Sequence, residues 1–281
     1  MLIAFLTLIT LLAFAANSIL CRMALAPGLI DPVSFTSLRL LSGAALLVPL
    51  VGLRPRARPS QAAASRGNWP SALALFAYAI CFSLAYVRVD AGMGALILFG
   101  AVQTTMVGWG LRSGEQPHMS EWLGLLMAIG GLIYLLSPGR SAPDVFGALL
   151  MAVSGVAWGV YSLRGRGAAS PVEATAGNFL RAAPFALVAS LLAITALRVE
   201  AKGALLAIVS GTMTSAIGYV IWYRALRGLT ATRAALVQLL VPVIAAFAGI
   251  LFLAETLSLR LALASALILG GVAMAIGGRP R

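Results

Sequence analysis

Residues Gly218–Glu255, GYVIWYRALRGLTATRAALVQLLVPVIAAFAGILFLAE, hold an apolar run, a basic break at Arg224, Arg227 and Arg233, and a second apolar run closed by Glu255. The second half of this stretch has a counterpart upstream. Ala91–Glu115 reads AGMGALILFGAVQTTMVGWGLRSGE and Ala231–Glu255 reads ATRAALVQLLVPVIAAFAGILFLAE, an offset of 140 residues. Ala91 falls on Ala231, Ala95 on Ala235, Leu96 on Leu236 and Glu115 on Glu255. The same offset places Gly130-Gly131 on Gly270-Gly271. A period of about half the chain marks a duplicated unit. The two copies are expected over residues 1–140 and 141–281.

Composition sets the solvent. Hydrophobic residues make up 61% of the chain and charged residues only 10%, against roughly 25% charged in a soluble domain. The lipid bilayer is therefore the expected surroundings. A net charge of +12 would suggest nucleic acid in a soluble protein. Here the basic residues sit mostly in breaks between apolar runs, where they set membrane orientation, so no nucleic-acid partner is expected. Cys21 and Cys81 lie in apolar runs without metal spacing and read as packing residues. The first apolar run lacks a basic leader, and the repeat needs a helix there, so it reads as a membrane span rather than a signal peptide.

The fold expected is an all-α integral membrane protein of ten transmembrane helices. Their approximate ranges are 2–24, 32–53, 69–89, 91–112, 119–137, 143–162, 173–197, 202–224, 230–253 and 258–278. The longest break is the polar Arg54–Asn68. With a cytoplasmic N-terminus, the cytoplasmic breaks hold twelve basic residues and the outer breaks six, with Arg39 and Arg181 inside spans. That bias places both termini in the cytoplasm. Five spans per copy is odd, so the copies cross the bilayer in opposite directions, as inverted repeats around a central cavity. Asp31-Pro32 opens span 2 and Ser170-Pro171 opens span 7; Arg22 ends span 1 and Arg164 ends span 6.

Ala225-Leu226, Ala231, Ala234, a mid-helix Pro242 and a helix-ending Glu255 together resemble the EamA-type unit of the drug/metabolite transporter superfamily. The resemblance covers essentially the whole chain as two units, and within the superfamily it is nearest to the bacterial YddG-type exporters of aromatic and other neutral amino acids. It implies a secondary transporter of the inner membrane that exports small metabolites by alternating access. Val102 stands where Pro242 stands in the second copy, so a hinge at this position is not implied for the first. Pro242 itself is a candidate helix kink.

The eight acids, Asp31, Asp90, Glu115, Glu121, Asp144, Glu173, Glu200 and Glu255, all lie at or near span ends. The single histidine, His118, falls between spans. No carboxylate dyad, Ser–His pair or P-loop is available inside the membrane. An enzyme, a metal and a cofactor are accordingly not expected, and transport down the substrate gradient or by exchange is expected over obligatory proton antiport.

Neutral polar and aromatic groups remain inside. Asn17, Tyr78, Gln103, Trp158, Asn178 and Gln238 sit in apolar helices. An unpartnered amide in hydrocarbon costs several kcal/mol, about 4–8 against an alkane reference. These six read either as lining of the substrate path or as interhelical glue. Phe14 is a further wall candidate. Trp69 and Trp122 read as interfacial anchors, and Trp109 and Trp222 are candidates for the same role. Arg39 and Arg181 have two readings, contact with a substrate carboxylate or, the more economical one, snorkelling or binding to backbone carbonyls. Gly110-x-x-x-Gly114 and Gly155-x-x-x-Gly159 allow close helix packing. Ten helices already hold both copies, so a monomer is expected. The partners expected are lipid and a small-molecule substrate, with a neutral aromatic centre suiting amino acids. The alternative is a broad drug or metabolite efflux protein; an intramembrane enzyme is disfavoured.

Overall fold

The structure, a computed structural model, describes residues 2–53, 66–116, 118–136, 144–256 and 258–277. Ten helical spans run through them: α1 Leu2–Leu25, α2 Pro32–Gly52, α3 Trp69–Tyr86, α4 Ala91–Arg112, α5 Met119–Leu136, α6 Val145–Gly165, α7 Pro171–Leu192, α8 Ala201–Leu226, α9 Ala231–Leu253 and α10 Leu259–Gly277. Among the described residues eight of these helices, α1 to α4 and α6 to α9, are long and apolar enough to cross a membrane. The expected boundary at 140/141 and most of the polar Arg54–Asn68 break lie outside the described residues.

Helix starts follow from short polar side chains that satisfy free N–H groups. Asp31 accepts from the backbone of Val33 and Ser34, and Ser170 accepts from Glu173. Each is followed by proline at the first helical position, where the missing N–H costs nothing.

Helix pairing recurs at the sequence offset. α1 packs on α8 and α9, and α3 and α4 pack on α6; α2 packs on α7, α4 on α9, and α5 on α10. Each of these contacts joins one copy to the other, and each has its mate under exchange of the copies. The helices of the two copies are thus interleaved in an inverted repeat. α4 has 22 residues, about 33 Å at 1.5 Å per residue, so its ends lie on opposite faces of the bilayer.

The antiparallel pair α4 and α9 is fastened at both faces by the two matched glutamates. Glu115, just past α4, accepts from Ala231 N at 2.8 Å, Thr232 N at 3.2 Å and Thr232 Oγ1 at 2.9 Å. Glu255, just past α9, accepts from Ala91 N at 2.9 and 3.1 Å. Each carboxylate therefore caps the first turn of its partner helix, where free N–H groups and the helix dipole favour negative charge. Arginines at the ends of α1 and α6 add charge: Arg22 lies 3.6 Å from Glu255, and the Arg166 guanidinium 3.5 Å from Glu115.

A left-handed residue turns each glutamate back. Gly114 has φ +82° and Ala254 has φ 53°, the C′ geometry that ends many helices. The following N–H groups then return to Gly110 O at 2.9 Å and Gly249 O at 3.3 Å. A Cβ at either of these two glycines would meet the glutamate oxygen, at 2.8 Å and 2.5 Å.

Three features depart from the expected spans. α7 ends at Leu192, with a short 3-10 turn at Ile194–Ala196 in place of helix to 197. α8 is π-helical over Ser210–Ile217. α9 breaks at Leu239 into Ala231–Gln238 and Leu240–Leu253. Pro242 cannot donate to the carbonyl of Gln238, and its ring crowds that carbonyl, which places the break one turn before the proline.

The two carboxyl groups titrate differently. Burial pushes Glu115 up, but the two backbone N–H groups, the Thr232 hydroxyl and Arg166 together hold it below the ordinary carboxylate range. Burial also pushes Glu255 up, and there Ala91 and Arg22 do not overcome burial plus the neighbouring Asp90, so it stays raised. Glu115→Gln is expected to lower stability by about 1–3 kcal/mol, as lost charged hydrogen bonds do. Thermal unfolding in detergent reads this at neutral pH, and the difference should vanish as pH falls through the lowered value, where Glu115 itself becomes neutral. Glu255 has the opposite sign. Its folded form holds the proton better than solvent does, so wild type should gain on Glu255→Gln as pH falls through the raised value. Ala254→Gly should stabilise by about 1–2 kcal/mol by relieving left-handed alanine backbone, read as a raised melting temperature.

Candidate functional site

Tyr78 of α3 and Tyr219 of α8 are mates under the repeat, 141 residues apart. Their hydroxyl oxygens lie 3.2 Å from each other, so the axis relating the two copies passes close to this pair. Arg39 of α2 inserts its guanidinium beside them. Its Nη2 donates to Tyr78 Oη at 3.0 Å and to Tyr219 Oη, and its Nε donates to Ser215 Oγ at 2.8 Å. The guanidinium carbon sits 5.1 Å from the ring centre of Tyr78 and 5.2 Å from that of Phe82, a cation–π geometry. α2 approaches α8 closely here because Gly211 has no side chain; a Cβ there would lie 2.2 Å from Arg39 O and 2.1 Å from Ser42 Oγ.

Asn17 of α1 extends the network. Its Nδ2 donates to Tyr78 Oη at 3.2 Å, while its Oδ1 accepts from Ser210 at 2.6 Å and Thr214 at 3.1 Å. Ser210, Thr214 and Ser215 all belong to the π-helical segment. Such segments are frequent at functional sites, because the extra residue per turn re-aims side chains that α-helix would distribute around the axis.

Trp158 of α6 closes the other side. Its Nε1 donates to Gln238 Oε1 at 2.8 Å, and Gln238 Nε2 donates to Ala234 O at 2.9 Å. The indole packs against Phe14, Tyr78 and Tyr219 with ring centres 5.0, 4.9 and 4.7 Å away. Phe14, Tyr78 and Trp158, with Ser18, Phe82, Leu98 and Phe99, line a cavity of about 10 Å³, at most room for one water molecule. Beside these rings the expected central cavity is narrowed to that volume. A wider vestibule of about 270 Å³ opens on the Glu255 face, lined by Arg88, Asp90, Asp144 and Glu255 among others.

Two charge facts stand out. Arg39 is 1% exposed and, among the described residues, forms no ion pair. Its Nη1 has no hydrogen-bond partner. Snorkelling is therefore not what Arg39 does: its head stays among rings, far from either helix end. Gln103 of α4 is 2% exposed, and neither of its amide atoms has a partner.

The other sequence candidates fall elsewhere. Asn178, which falls on Arg39 at the 139-residue offset that relates Pro32 to Pro171, accepts from Asn68 N at 3.0 Å. Arg181 donates to the carbonyls of Arg66 at 2.7 Å and Gly177 at 3.0 Å. Both hold the segment that leads into α3, and among the described residues neither bonds to the Tyr78 and Tyr219 hydroxyls. Trp222 is no surface anchor: it is 0% exposed, lies 5.7 Å from Phe14 ring to ring, and donates to Ser162 at 3.0 Å. Sequence reasoning assigned no role to Tyr219, Ser210, Thr214 or Ser215. The signal for Tyr219 was its offset from Tyr78; the serines and threonine needed the π-helix to point inward.

The EamA-like transporter family matches residues 1–137 and again 145–277. An uncharacterised protein of Pseudomonas aeruginosa is 52% identical over 274 residues, 98% of this chain and 94% of that protein. An uncharacterised transporter of Archaeoglobus fulgidus is 26% identical over 278 residues, 94% of this chain and 93% of that one. A solved crystal structure at 22% identity superposes over 99% of both chains with a TM-score of 0.71, which shows the fold.

Gln103 gives a test of the centre. Removing two buried unpartnered atoms should stabilise, so Gln103→Leu is expected to raise stability by about 1–3 kcal/mol while lowering transport. Thermal unfolding and flux on the same preparation measure both.

Proposed function

This chain belongs to the EamA-like transporter family, and we propose that it exports aromatic and other neutral amino acids and related small metabolites across a bacterial inner membrane by alternating access. Membrane transport itself follows from the family. The cargo class is read from the centre. The observation that carries it is the ring-walled polar cluster where the copies meet: Phe14, Tyr78, Phe82, Trp158 and Tyr219 around one guanidinium and two amides. Such a wall suits a small molecule with an apolar side chain and a carboxylate.

Alternating access is supported by the two carboxylate fastenings. Both are engaged, the pocket beside the central rings is only about 10 Å³, and a vestibule of about 270 Å³ stands on the Glu255 face. Opening one face requires one glutamate to leave its partner helix while the other holds. The repeat makes the two openings mirror operations on one site. Efflux of bulky cations is the weaker reading, because the one charge at the centre is positive and the acids sit at the helix ends. Orientation with both termini in the cytoplasm follows from the excess of arginine on the Glu115 face.

Purified protein in liposomes should pass labelled phenylalanine and tryptophan faster than empty liposomes do. Trp158→Phe keeps the aromatic bulk but removes the donor to Gln238, and it should slow that flux about two- to tenfold. Flux equal to empty liposomes for phenylalanine, tryptophan and threonine alike would overturn the reading.

A further inference from the structure

We propose that Arg39 is the seat of the cargo's carboxylate, and that the site reads this charge alone, binding a ring-bearing carboxylate anion without recognising an ammonium group. The inference rests on the transport reading above and sharpens its substrate class.

The first support is an unbalanced charge. A buried guanidinium without a counter-ion costs several kcal/mol even when its hydrogen bonds are made. Arg39 is buried, its three observed acceptors are neutral hydroxyls, and Nη1 has no acceptor at all. Among the described residues no pairing explains keeping it there. A carboxylate from outside would neutralise it and fill the open donor, in the forked geometry that arginine offers.

The second support is position. Arg39 bridges Tyr78 and Tyr219, which are equivalent in the two copies. A charge held on that axis faces both openings alike, so one group can receive cargo from one side and present it to the other. The symmetry breaks at the charge itself: Asn178, which takes the place of Arg39 in the second copy, is engaged with Asn68. The site therefore has a single positive group where symmetry would have allowed two, which suits a single negative one.

The third support is that, among the described residues, no carboxylate stands beside Arg39 to receive an ammonium. Asn17 Oδ1 already accepts from two hydroxyls, and Gln238 Oε1 accepts from Trp158. The carboxylates all lie at helix ends. A zwitterion would leave the centre with its net positive charge; an anion would cancel it. The ring of such a cargo has its wall in place, since the small cavity beside Arg39 is lined by the same Tyr78 and Phe82 that stack on the guanidinium.

The test compares three probes that share one benzyl group, on the full-length protein in nanodiscs at about pH 6, where an α-amine is protonated and a carboxylate ionised, by calorimetry. They are 3-phenylpropanoate with a carboxylate only, phenylalanine with both charges, and phenylalaninamide with an ammonium only. We expect 3-phenylpropanoate to bind at least as tightly as phenylalanine, and phenylalaninamide about ten- to a hundredfold more weakly. Arg39→Gln should erase this ranking, and Arg39→Lys should retain part of it. The ranking on the unmodified protein needs no variant, so a failure of Arg39→Gln to fold does not shield the idea. Tighter binding of phenylalanine than of 3-phenylpropanoate would overturn the charge-alone reading, and an unchanged ranking in Arg39→Gln would overturn the carboxylate assignment, each while leaving amino-acid transport standing. No binding of any probe would overturn both.

Discussion

The two glutamates that cap each other's helices hold the architecture together. In a bilayer the free N–H groups at a helix start have no water to turn to unless they reach an interface, so a protein side chain must serve them. Glu115 serves the start of α9, and Glu255 serves the start of α4. Because α4 and α9 run antiparallel, one pairing at each end fixes both their register and their separation. The left-handed turns at Gly114 and Ala254 and the bare faces of Gly110 and Gly249 are the local conditions that let the carboxylates fold back.

This frame is symmetric in form and unequal in chemistry. Glu115 meets two backbone donors and a hydroxyl; Glu255 meets backbone N–H groups of Ala91 and Gly92 but no hydroxyl, and has Asp90 beside it. The two faces therefore differ in how firmly they hold their charge. The face with the weaker hold is also the one that carries the vestibule. On the proposed alternating-access reading, unequal fastenings give the two facing states different energies, and proton concentration acts on each with a different sign.

At the centre the same inequality is sharper. Tyr78 and Tyr219 preserve the repeat; Arg39 and Asn178 do not. The π-helical turn of α8 adds Ser210, Thr214 and Ser215 on one side only. Duplicated helices thus provide two similar doors, while divergence within them provides one directional site. Gln103 is a buried, unpartnered amide on α4, a local rule broken where such breaks are expected to mark function.

Sequence alone was enough for the lipid surroundings, the ten spans, the antiparallel sense of the copies and the matched glutamates. Each rests on composition, length or periodicity, and lipid admits few other solutions for such a chain. It also led to Asn17, Tyr78, Trp158 and Gln238, because polar groups in apolar helices are conspicuous wherever they end up. It did not separate Arg39 from Arg181. Both stand a similar distance into their helices, and only the packing of α2 against α3 and α8 puts one among rings and leaves the other on backbone carbonyls. Tertiary structure also decided that Asn178 leaves the centre, that Trp222 enters it, and that a run of small hydroxyl residues in α8 faces inward. The physical reason is common to all of them: a helix fixes how deep a residue lies, but which neighbour its side chain meets depends on rotation and helix pairing, and the pattern of apolar residues in a helix greasy on every side records neither.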